Sequence, residues 1–153
     1  GAKVLREVPY DRFLRMLPDV RVRAGDRAIL RALHFYQENL RVQAAADALR
    51  QNRLPDFLDA VNASGRSSWE LLQNLYVSDR EQPMALALAR AQDLLGSRGA
   101  CRVHGGGFAG TTLNLVPLDL LAGFTGAMED LFGPGCCSSI DVRAQGAALL
   151  AGT

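Results

Sequence analysis

Residues 105 to 110 read Gly105-Gly106-Gly107-Phe108-Ala109-Gly110, and the stretches on both sides alternate apolar with polar side chains. Ala100-Cys101-Arg102-Val103-His104 comes before and Thr111-Thr112-Leu113-Asn114-Leu115-Val116 after, each with the period of two that lets a strand bury one face. A run this rich in glycine interrupts regular structure, because glycine loses more backbone freedom on folding than any other residue. The two strands are therefore expected to be joined by an open bend, and the fold must be built around that pair.

The run contains the string G-x-G-x-x-G through Gly105, Gly107 and Gly110. In a dinucleotide-binding unit the string leads from a strand into a helix whose N-terminus faces the pyrophosphate, whereas here it leads into a second strand. A protein-kinase glycine loop does join two strands, but it requires a lysine on the second, and no lysine follows Gly110. The Gly-Lys-Ser/Thr of a Walker loop is also missing. Two readings stay open: a backbone that offers its N–H groups to a ligand or another loop without obstruction, and an ordinary tight hairpin connection.

Upstream the periodicity is helical. An extended piece, Lys3-Val4-Leu5-Arg6-Glu7-Val8, precedes a short helix with Pro9 in its first turn and Phe13, Leu14 and Leu17 along it, stopped by Pro18. From about Ala24 to Gln51, Ile29, Leu33, Tyr36, Leu40, Ala44 and Ala48 recur every three or four residues, with Arg31, Glu38, Arg41, Asp47 and Arg50 between them, as in a long amphipathic helix. Pro55 opens another helix, carrying Phe57, Leu58 and Val61 and expected to end at Ser64-Gly65. Trp69, Leu71, Leu72 and Leu75 suggest a further helical turn or two, and Pro83 to Leu95 is an Ala/Leu-rich helix stopped by Gly96.

Beyond the glycine run, Pro117 is expected to start a helix through Leu118, Leu121, Thr125, Met128, Leu131 and Phe132 that Gly133-Pro134-Gly135 breaks. Ser138-Ser139-Ile140-Asp141-Val142-Arg143 then alternates like a third strand. The expected class is α+β: a mainly antiparallel sheet with helices packed on one face and a helix-rich N-terminal part, read as a single domain over residues 1–153.

Composition narrows the partners. The chain has 153 residues, 48% hydrophobic and 22% charged, enough to bury a core, and its net charge of +1 comes from scattered basic residues, so no nucleic acid or membrane surface is expected as a partner. No apolar stretch approaches the roughly 18 residues of a membrane span, and the N-terminus lacks the order of a signal peptide. Gly1-Ala2 reads as a cloning remnant, so the natural N-terminus is expected to lie upstream. The cysteines, Cys101, Cys136 and Cys137, are odd in number and lack Cys-x-x-Cys spacing, so neither a disulfide framework nor a zinc site is expected and a cytoplasmic setting fits. No Ser-His-Asp grouping or pair of catalytic carboxylates stands out.

Arg102-Val103-His104-Gly105-Gly106-Gly107-Phe108-Ala109-Gly110-Thr111-Thr112 resembles the third conserved motif of galactokinases, commonly Arg-Met-Thr-Gly-Gly/Ala-Gly-Phe-Gly-Gly-Cys-Thr, within the GHMP kinase superfamily. The likeness extends upstream, where the long helix with Arg27, His34 and Asn39 resembles the one that follows the family's sugar-binding region. Asn62-Ala63-Ser64-Gly65-Arg66-Ser67 is similar to the family's Glu-Ser-His-x-Ser segment. Three departures stand out: Ala109 where glycine is usual, His104 where threonine is common, and no Asp-Asp-Tyr or Ser-x-Pro-Glu-Leu-Asp pattern after Ser67. Also absent are the family's early Gly-Arg-x-Asn-Leu-Ile-Gly-Glu-His-x-Asp segment and its Pro-x-Gly-x-Gly-Leu-Ser-Ser-Ser loop.

The resemblance implies a ferredoxin-like C-terminal domain of an ATP- and Mg2+-dependent kinase for a hexose-like sugar, whose N-terminal half supplies the sugar site, the triphosphate loop and the acid/base groups. Without that half the chain is expected to be inactive, to carry no catalytic residue or metal ligand, and to hold no cofactor. In this reading Gly105 to Gly110 form one wall of the active-site cleft, working through their backbone with Phe108 as an anchor. His104 and Arg102 are candidates for substrate or phosphate contact. Against these stand a structural histidine at a strand end and an arginine paired with a helix carboxylate. A non-catalytic galactokinase-like sugar sensor and a free-standing interaction domain are the alternatives, and the face that met the missing half is expected to drive homodimerisation.

Overall fold

A long helix and a two-stranded hairpin organise the chain in this computed structural model, which describes residues 2–75, 78–108 and 110–146. Gly1, Tyr76 and Ala109 lie outside the described residues. Helix α1 (Tyr10–Arg15) leads into α2 (Leu17–Arg50), which is interrupted at Gly25, where φ is 78° and ψ is 168°. A residue without a Cβ adopts that backbone without strain, so the regular run of α2 starts just past it, where the periodicity predicts. Tyr36 ties the N-terminal segment to α2. Its ring stacks on Tyr10 with centroids 4.8 Å apart, and its hydroxyl donates to the Val8 carbonyl at 2.7 Å.

Helix α3 (Leu54–Ser67) has Pro55 in its first turn and runs straight into a π-helical turn (Ser68–Leu72), which ends at Gln73 with φ at 56°. Next come α4 (Pro83–Leu95), strands β1 (Ala100–Val103) and β2 (Thr112–Leu115), and α5 (Leu121–Phe132). The strands pair antiparallel in the register Ala100↔Leu115, Cys101↔Asn114, Arg102↔Leu113 and Val103↔Thr112.

Alternation sends Cys101 and Val103 to one face of β1, where they join Leu88, Leu95, Phe124 and Met128 from α4 and α5 in the main core. The other face of β1 receives α3. A Cβ on Gly65 would fall 2.8 Å from the Cys101 carbonyl oxygen and 3.1 Å from the Arg102 Cβ, so helix and strand meet almost backbone to backbone. Asn62, also on α3, accepts from the Cys101 N–H at 3.0 Å and donates to the Gly99 carbonyl at 3.3 Å. The class is α+β, with helices meeting the hairpin on both faces.

Several local expectations are corrected. Leu5–Glu7 forms a 3-10 turn inside the piece expected to be extended, and Pro18 lies in the first turn of α2, so it opens that helix instead of closing the previous one. Gly65 does not end α3; it stays helical because its missing side chain makes room for β1. The last helix begins at Leu121, after a turn in which the Leu120 N–H bonds the Pro117 carbonyl at 2.9 Å.

Ser138 to Arg143 form no strand, and the sheet of the described residues has two. Ile140 and Val142 are exposed, Val142 at 97%, so their alternation meets neither a free sheet edge nor a face to cover. Helix α2 buries its apolar stripe at Tyr36 and Ala48, and beside it turns a polar pair inward. Leu40 is 63% exposed, while His34 and Glu38 reach α3 and Glu38 also reaches β1.

Candidate functional site

The hairpin closes where the His104 N–H bonds the Thr111 carbonyl at 2.9 Å, and the glycine run projects beyond that bond. Gly105 (φ 64°), Gly107 (φ 78°), Phe108 (φ 57°) and Gly110 (φ 78°) all occupy the left-handed region. Four such residues in one bend explain the glycine content, since side chains with a Cβ are strained there. Nothing lies within 4 Å of where a Cβ on Gly105, Gly106 or Gly110 would stand, so these positions face open space. The N–H groups of Gly105, Gly106 and Gly107 have no hydrogen-bond acceptor among the described residues. Backbone of this kind suits an anion or an approaching loop.

Gly107 is the opposite case. A Cβ there would collide with the Asn74 backbone oxygen and come within 2.6 Å of Asn74 Nδ2. The Phe108 N–H donates to the Asn74 carbonyl at 3.0 Å, and Asn74 Nδ2 donates to the Gly106 carbonyl at 3.0 Å. The bend is thus held from below by Asn74, which is only 4% exposed, and is open above, where Phe108 is 51% exposed. Sequence periodicity gives no sign of Asn74, because its contacts lie 32 residues along the chain.

The two candidate side chains separate. His104 stands exposed at the base of the bend. Arg102 turns the other way: its Nη1 lies 3.4 Å from Glu38 Oε1 and its Nε donates to the Val103 carbonyl at 3.1 Å. Glu38 also accepts from Arg41 Nε at 2.7 Å and from the Ser64 hydroxyl, so one carboxylate on α2 ties together α3, β1 and its own helix. Burial raises the Glu38 carboxyl, but the Ser64 and Arg41 hydrogen bonds with the charges of Arg41 and Arg102 outweigh it and hold it below the ordinary carboxylate value. His34, one turn earlier, has Nδ1 2.9 Å from the Ser67 hydroxyl. Burial, which Glu38 opposes and Arg41 reinforces, lowers its pKa below the usual imidazole value.

Among the described residues no three His, Cys, Asp or Glu side chains converge as metal ligands. Burial pushes the Cys101 thiol up to about 11, and burial with the neighbouring Cys136 does the same to Cys137, which suppresses the reactive thiolate at both. A cleft of about 410 Å3 lies between α3, α4 and the start of β1, lined by Trp69, Arg66, Glu70 and Gln92 among others, at the end of the strand away from the glycine bend. No described helix is long and apolar enough to cross a membrane.

Two strands joined by a glycine bend, with helices packed on both faces, define an α+β hairpin module whose exposed chemistry is backbone chemistry. No family model matches the chain. It is similar to galactokinases: 33% identical over 122 residues to that of Actinobacillus succinogenes, 31% over 120 residues to that of Actinobacillus pleuropneumoniae, and 31% over 122 residues to that of Mannheimia succiniciproducens. These alignments cover 78%, 76% and 78% of this chain. The chain spans 29% of the length of each of these three curated proteins.

Proposed function

We propose that residues 1–153 form the C-terminal domain of a galactokinase-like kinase, with Gly105 to Gly110 lining one side of a cleft completed by an N-terminal half. The full-length protein then transfers the γ-phosphoryl group of ATP to a hydroxyl of a hexose: the new bond is phosphorus to sugar oxygen, the broken bond is phosphorus to the ADP bridging oxygen, and the hydroxyl proton goes to a base of the other half. Such transfers depend mainly on positioning and on neutralising spread negative charge. Magnesium supplies part of that neutralisation, but the donor groups of this chain do not fit a magnesium site, since no cluster of ligands forms among the described residues. The chain's own contribution is a rigid wall of unobstructed backbone, and alone it does not catalyse.

The backbone of Gly105, Gly106 and Gly110, clear of neighbours above the pinned Gly107, carries this reading: positive φ alone accounts for glycine at Gly105 and Gly110, but Gly106 leaves the backbone open without that need. His104, exposed at the base of the bend, is the side chain placed to reach substrate or phosphate; Arg102, held by Glu38, supports the strand. A cytoplasmic setting accords with three free thiols. Exposed apolar side chains such as Phe108, Leu118 and Leu131 fit a surface covered in the intact protein and available for homodimerisation when it is not.

The test is to extend the gene upstream, purify the extended protein, and follow ADP release with galactose and other hexoses. Turnover by the extended protein and none by residues 1–153 is expected; an extended protein that binds neither ATP nor any hexose overturns the proposal. His104 and Ala109, where the family commonly has threonine and glycine, favour a second reading, a sugar sensor that binds both ligands without turnover. That reading predicts binding of sugar and nucleotide with no ADP release.

A further inference from the structure

We propose that Asn74 is a positioning residue: it sets the shape of the glycine bend from outside it and thereby holds the free N–H groups of Gly105 and Gly106 in one fixed orientation. Four observations converge on this junction. Asn74 grips the bend twice, through its carbonyl on the Phe108 N–H and through Nδ2 on the Gly106 carbonyl, both at 3.0 Å. Gly107 packs so tightly on Asn74 that no Cβ fits between them.

Strain is concentrated at the same place. Of the three non-glycine residues with positive φ among those described, Asn52, Gln73 and Phe108, two flank this contact: Gln73 at 56° immediately before Asn74, and Phe108 at 57° in the bend. Backbone strain persists where surrounding contacts overdetermine it, and it gathers where geometry matters to function. Furthermore, Asn74 Oδ1 is enclosed and has no hydrogen-bond partner among the described residues. An enclosed acceptor without a donor disfavours a side chain kept only to fill space, since an apolar residue of similar shape would pack there without that penalty.

The fixed orientation matters to catalysis only if the bend lines the cleft, so the kinetic part of the proposal rests on that reading, while the structural part does not. The variant is Asn74→Leu, which keeps the heavy-atom count and branching of the side chain, with bulkier tips, and the backbone carbonyl, but loses the bond to Gly106. Asn74→Ala serves as the companion variant that opens a void. Amide hydrogen exchange by mass spectrometry on residues 1–153 reads the bend directly, without ATP, sugar or turnover.

Exchange of the His104 and Phe108 amides, the two in the bend that have hydrogen-bond acceptors among the described residues, is expected to rise at least tenfold in Asn74→Leu while α4 and α5 stay protected as in the parent. Unchanged exchange in the bend, or a rise spread evenly over the whole chain in both variants, overturns the proposal. In the extended protein Asn74→Leu is expected to lower kcat by about a hundredfold, the cost of a misplaced wall, with a smaller change in KM for ATP. Equal losses in the folded fraction and in activity would mark Asn74 as a packing residue only. A looser bend in a protein whose parent shows no kinase activity would remove the kinase reading and leave the role of Asn74 in place.

Discussion

Two neighbouring glycines in the bend have opposite reasons to be glycine. At Gly107 the backbone is left-handed and Asn74 fills the space where a Cβ would go, so Gly107→Ala combines backbone strain with overpacking, a cost of about 3 kcal/mol. Gly106 is outside the left-handed region and faces open space, so Gly106→Ala is expected to change stability by less than ~0.5 kcal/mol. Thermal unfolding of the two variants beside the parent checks this: a large drop for Gly107→Ala alone is expected, and equal shifts would show that the grip of Asn74 is not what orders the bend. The glycine run itself was legible in the sequence, since alternation on both flanks allowed little but a bend. The difference between its members was not, because it is imposed by Asn74 from a distant turn.

Among elements, a polar cluster on α2 reaches α3 and β1 beside the apolar stripe that periodicity singles out and that Tyr36 and Ala48 bury. Periodicity places Glu38 between the apolar positions, yet it faces inward, where Gly65 lets β1 approach closely enough for Arg102 to reach it. Local pattern cannot reveal a pairing 64 residues apart. The helices and the two strands were legible because each has its own local period. The stretch from Ser138 to Arg143 has such a period too, but it has no partner edge, so its alternation produced no strand.

The cluster makes stability depend on acid. Both folded-state pKa values are depressed, so the unfolded chain binds more protons and stability falls as pH falls, first for His34 from about pH 6.5 downward and then for Glu38 from about pH 4.3 downward. Urea midpoints from neutral pH down to about pH 3 test this: His34→Asn is expected to flatten the upper part of the decline and leave the lower part, whereas Glu38→Gln flattens the lower part. A decline of unchanged shape in His34→Asn would assign the acid sensitivity to other groups.

At the scale of the molecule, a chain spanning 29% of its relatives' length and exposing Phe108, Leu118 and Leu131 is expected to self-associate as its concentration rises. Sedimentation velocity over a range of concentrations should show a dimer that disappears in the extended protein. A chain that stays monomeric throughout would mean that these side chains are scattered surface residues and not parts of one contact.

Asn62 has a bearing on how such a contact can form. By taking up the Cys101 N–H and the Gly99 carbonyl, it uses the groups at one rim of the hairpin through which an incoming strand would zip on. Two copies therefore cannot join as a shared ribbon across those groups without breaking both bonds to Asn62, so one amide opposes fibril-like stacking along that rim.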